Sequence, residues 1–144
     1  MTVTEYLAQR DAAGAIQGAL ADSLAGVVTL ATVRESTDIG WDGVNTNAEL
    51  PLPHIVLGLS AQTDPDDKES GQLMCSIDVE IVTDLTEDAK AVLHFELRKT
   101  VVCWLQDGTA KDAGNFRDMM SLDIQQAVDS DGILSTTISF TGVY

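Results

Sequence analysis

Basic residues are scarce in this sequence: 8 Lys and Arg stand against 23 Asp and Glu in 144 residues, a formal net charge of −15. A surface of that sign repels phosphates and anionic membranes within the screening length, which excludes a nucleic-acid clamp. Long apolar runs are missing too. None approaches the roughly 20 residues that a membrane-spanning helix needs. The opening stretch MTVTEYLAQRD has neither the basic nor the apolar region of a secretory signal, so synthesis in the cytosol is expected. Cysteine is down to Cys75 and Cys103, with no CxxC and no histidine cluster nearby; both are expected as buried free thiols, ahead of a disulfide or metal role. Proline occurs three times and no Pro/Gly/Ser-rich linker divides the chain, so one domain over 1–144 is expected. Nor is there a GxxxxGK(S/T), GxGxxG, GxSxG or HExxH signature, and without one no enzymatic role and no cofactor are expected.

What is present is a pattern of alternating periods. From Thr4 to Leu24, Tyr6, Ala13, Ile16, Leu20 and Leu24 share one arc at helical spacing, and Gly26 is expected to end that helix. VVTLATV (Val27–Val33) reads as a buried strand, followed by a long loop at 35–52, and HIVLGLS (His54–Ser60) as a second strand. In LMCSIDVEIV, Leu73, Cys75, Ile77, Val79 and Ile81 alternate with Ser76, Asp78 and Glu80, which marks a strand with one dry and one wet face. DLTEDAKAVLHFELRKTVVCWLQDG is the strongest helix, capped by Asp84 or Thr86 and closed by Gly108. Ala89, Leu93, Leu97, Val101 and Trp104 form its main stripe, while Ala91, Phe95 and Val102 occupy nearly the opposite side. A helix on a sheet needs only one stripe, so the second is assigned to a neighbouring subunit, or else to an overlying loop such as 35–52. A helical turn at FRDMM precedes a terminal hairpin. In it Leu122, Ile124 and Val128, then Leu134, Ile138 and Phe140, form a core face. The fold class is therefore α+β, a mixed and mostly antiparallel sheet with two main helices on one face, in the order α-β-β-β-α-β-β.

Several groups invite chemistry and have plainer readings. Asp78 and Glu80 sit roughly 7 Å apart along one strand face, as acid/base pairs do, but an acidic wet face explains them equally. His54 and His94 have no partner fixed by spacing and read as surface or boundary residues. DSDG (Asp129–Gly132) starts like a calcium loop but lacks the later ligands, and reads as a hairpin turn. TDPDDKE offers Asp64, Asp66, Asp67 and Glu69 as oxygen ligands for a hard cation; a solvated loop is the simpler account.

The element order, with the strand CSIDVEIVTD, the long helix TEDAKAVLHFELRKTVVCWLQ and the closing hairpin TTISFTGVY, resembles the tail terminator or tail completion proteins of long-tailed bacteriophages. The resemblance covers most of the chain. It implies a structural virion protein made in the host cytoplasm, assembled with its own copies as a ring, typically a hexamer, at the head-proximal end of the tail. Such a ring caps tail-tube polymerisation and meets the tube and head-connector proteins, while DNA passes without specific binding. In that setting Asp64, Asp66, Asp67, Glu69, Asp78 and Glu80 would face a negative lumen, and Ala91, Phe95 and Val102 the next subunit. Other phage neck, connector or tail-tube ring proteins fit the same pattern. Two further classes remain open: an acidic monomer that neutralises a basic partner, and a small hydrolase or isomerase using Asp78, Glu80 and a histidine.

Overall fold

Alternation in one strand sets the layering of this molecule. The computed structural model describes residues 3–29, 31–35, 53–63, 73–84, 88–128 and 132–143. In chain order the elements are α1 (Val3–Val27), β1 (Thr32–Glu35), β2 (His54–Thr63), β3 (Leu73–Asp84), α2 (Asp88–Gln106), α3 (Thr109–Gly114), β4 (Asp118–Val128) and β5 (Ile133–Val143). In β3, Cys75, Ile77, Val79 and Ile81 are fully buried, and Ser76 and Asp78 are exposed. Register carries that division across the sheet: Ile55, Leu57 and Leu59 of β2 stand opposite Ile81, Val79 and Ile77, which in turn stand opposite Thr136, Ile138 and Phe140 of β5. Cross-strand partners share a face, so these residues form one dry surface under the helices.

The sheet runs β1-β2-β3-β5-β4, antiparallel except for the β1–β2 pair. α1 packs against β1 and β2, α2 against β3, and α3 against both long helices. The expected α+β class and element order are found, with α3 added between α2 and β4. The core joins Ile16, Leu20 and Leu24 of α1 to Leu97, Val101 and Trp104 of α2 above the sheet. Each such side chain, once buried, contributes about 1.5–3 kcal/mol of transfer free energy. Polar groups tie the layers: the Gln17 side-chain amide donates to the Leu57 carbonyl at 2.8 Å, and the Trp104 indole donates to Ser23 Oγ at 3.0 Å.

The structure corrects several expectations. Gly26 does not end α1, and no strand begins at Val27; the Val28 amide still donates to the Leu24 carbonyl, at 3.0 Å, and strand geometry starts at Thr32. Ala13, Ile16, Leu20, Leu24 and Val28 are one buried stripe at spacings of three and four, so packing outweighs the β-branched preference of VV. Asp84 closes β3 and pairs with Lys90 at 3.2 Å. The helical turn lies at Thr109–Gly114, not at FRDMM, because Gly108 (φ 88°) and Asn115 (φ 54°) bracket it in left-handed conformations. Cys75 is buried, but Cys103 is exposed, being on the outward arc of α2 with Glu96 and Lys99.

The largest correction concerns β4. Its expected core face is open: Leu122, Ile124 and Val128 are 46, 36 and 57% exposed. β4 is the outermost strand, and the long helices pack chiefly on β1, β2 and β3. The segment 36–52, Thr86, Asp129–Asp131 and the acids Asp64, Asp66, Asp67 and Glu69 lie outside the described residues.

Candidate functional surfaces

The sheet face away from the helices is acidic by register. Asp78 of β3 stands opposite Ser139 of β5, and Ser139 opposite Asp123 of β4; the next row is Glu80, Thr137, Gln125. Ser139 Oγ donates to Asp78 Oδ1 at 2.6 Å, and Gln125 Nε2 to Asp123 Oδ2 at 3.2 Å. At the usual strand spacing, Asp78 and Asp123 are roughly 10 Å apart, about one screening length. Of the described cations, Lys90, Arg98 and Lys99 belong to α2 and Lys111 to α3, on the other side of the sheet, while Arg117 immediately precedes β4. Asp78 and Glu80, singled out from the sequence, are thus brought together with Asp123.

The second surface is one side of α2. Ala91, Phe95, Arg98 and Val102, spaced by four, three and four, project in one direction. Arg98 shows where that side points, since its guanidinium donates to Gln126 Oε1 of β4 at 3.4 Å. Ala91 and Val102 are half-buried, Val102 against the core, while Phe95 is 56% exposed. The side therefore faces the uncovered strand at the sheet's edge, and the described residues leave Phe95 open.

Both histidines depart from expectation, for they are buried rather than at the surface. His94 lies between the helix and the sheet, its Nδ1 2.8 Å from Thr83 Oγ1 and its Nε2 2.7 Å from Thr136 Oγ1. Burial, and secondarily the Arg98 guanidinium, lowers its pKa from the ordinary histidine range. The spacing 94, 97, 101 within the buried stripe was the available signal, as was Thr136 at a core position of its alternating strand. His54 opens β2 on the sheet side of Glu80, two residues before Val56, the partner of Glu80. Asp78 and Glu80 therefore point away from His94, with the sheet between them, and the three do not form a site.

A shallow open depression of about 260 Å³ lies between the ends of α1 and α2, lined by Val27, Lys99, Cys103, Trp104 and Asp107. It gathers none of the acids of the sheet face. Among the described residues, no three His, Cys, Asp or Glu side chains are placed to hold a metal ion, and no helix is long and apolar enough to cross a membrane. The chain matches no protein-family model, and no curated protein matches its sequence significantly.

Proposed function

We propose that this chain is a ring-forming structural subunit of the tail terminator or tail completion type, acting at the head-proximal end of a long phage tail. The observation that carries the proposal is Phe95: a large apolar side chain, 56% exposed, on a helical side that also bears Ala91 and Val102. Exposed apolar surface of this kind is stabilised by a partner. In a closed ring the partner is the next copy, in a head-to-tail contact that uses two different patches. Asp78 and Glu80, on the sheet face away from the helices, would then line the bore. Each cation in such a bore would add sequence-independent affinity for phosphate and slow DNA; an anionic wall lets it pass. The outer surfaces would meet tail-tube and head-connector proteins, which set where growth of the tube stops.

Native mass spectrometry of the purified protein, alone and as Phe95→Asp, tests this. A closed assembly of about six copies, reduced by the substitution to folded monomers with an unchanged far-UV spectrum, is the expected result. An open filament would indicate a tube subunit instead. A wild-type protein that stays monomeric at high concentration would overturn the ring and favour an acidic binding module, whose affinity for a basic target falls steeply with salt.

A further inference from the structure

We infer that the free edge of β4 is a docking site for an extended segment of another protein, one whose side chains alternate between apolar and basic. Among the described residues β4 pairs only with β5, and residues 122–128 are exposed throughout. Natural edge strands are guarded by Lys, Pro or a bulge that disrupts pairing. β4 has a bulge, but it lies between Met120 and Asp123. The five residues after it, Ile124 to Val128, contain no charge, no proline and no glycine, in a chain of which 22% is charged. Their outward backbone groups are an open template for strand addition.

The two faces of that edge specify what the added strand carries. Ile124, Gln126 and Val128 stand opposite Ile138, Thr136 and Leu134, on the helix side, with Gln126 held by Arg98. Apolar side chains of an incoming strand would land beside Ile124 and Val128, about 5 Å away. On the other face the incoming side chains would meet Asp123, itself in line with Ser139 and Asp78. Lys or Arg there complements the charge. A second copy does not: two β4 edges joined in one sheet would set Asp123 and its acidic row beside their own counterparts, in a chain of net charge −15. The inference goes beyond the ring reading and does not require it, because the edge is defined within one subunit.

Hydrogen exchange over 118–128, measured by mass spectrometry, reads the edge directly. The probe is an eight-residue peptide alternating Val and Lys, with an isomer of the same composition in two blocks as control. The alternating peptide should slow exchange in this segment about tenfold or more at saturation, and the block isomer should not. Asp123→Lys and Val128→Lys, both at exposed positions, should each weaken that protection about tenfold with thermal unfolding unchanged. Equal protection by both peptides, or binding with no protection of β4, would reduce the effect to bulk charge and overturn the inference. So would a β4 that already exchanges slowly in the free assembly and quickly in the Phe95→Asp monomer, since another copy would then hold the edge while the ring reading stood.

Discussion

A neutral imidazole has one donor and one acceptor, and His94 finds a threonine hydroxyl for each. The same enclosure disfavours its charged form, so the folded chain takes up the His94 proton at lower pH than the unfolded chain, whose histidines titrate near 6.5. Stability from this residue is complete above that pH and is lost as the pH falls below it, by at most about 1.4 kcal/mol per unit. Chemical denaturation of wild type and His94→Gln at pH 7.5 and pH 5.5 checks the sign. The variant should be less stable at the higher pH, and the gap should narrow at the lower one; a constant gap would mean that His94 does not titrate differently on folding. A second residue-scale constraint is the Phe116 ring, nested between Gly114 and Gly142. A Cβ on Gly142 would sit 2.7 Å from that ring. Gly142→Ala should therefore cost about 1–3 kcal/mol in urea denaturation, although alanine is otherwise tolerated in strands. Spacing pointed to the burial of His94, but neither its pairing with two threonines nor the nest of Phe116 was legible, because each joins residues brought together only by folding.

At the scale of elements, periodicity was legible wherever one face is dry and the other wet. The alternation in β3 and the stripe of Leu97, Val101 and Trp104 in α2 are both observed. So was the surplus apolar side at Ala91, Phe95 and Val102, which the sequence marks because one sheet cannot cover two sides of a helix. What failed was the inference from alternation to burial in β4. Ile124 and Val128 alternate as core residues do, yet strand order puts them at an edge, and strand order depends on long-range pairing that local spacing does not encode. The placement of α1 was hidden for a similar reason, since Gln17 anchors it to the Leu57 carbonyl 40 residues away. Gln17→Met, close in volume but without the donor, should lower stability by about 1–2 kcal/mol, read from the shift in denaturation midpoint with unchanged slope.

For the whole molecule, the dominant quantity is the net charge of −15: a sheet face with Asp78, Glu80 and Asp123 lies opposite helices on which Lys90, Arg98, Lys99 and Lys111 are mixed with acids such as Asp22, Glu96 and Asp112. Copies that associate through apolar surface must do so against mutual repulsion. Raising salt from about 50 mM to about 500 mM shortens the screening length several-fold and should tighten self-association, as followed by sedimentation velocity. Weakening with salt would mean that ion pairs, not apolar burial, hold the copies together.

The parallel pairing of β1 with β2 limits how short their connection can be. Strands that run side by side in the same direction cannot be joined by a hairpin; the chain must travel back from the far end of one to the near end of the other. Eighteen residues, 36–53, separate Glu35 from His54. A version trimmed to a two-residue turn would have to reverse β1 or abandon it.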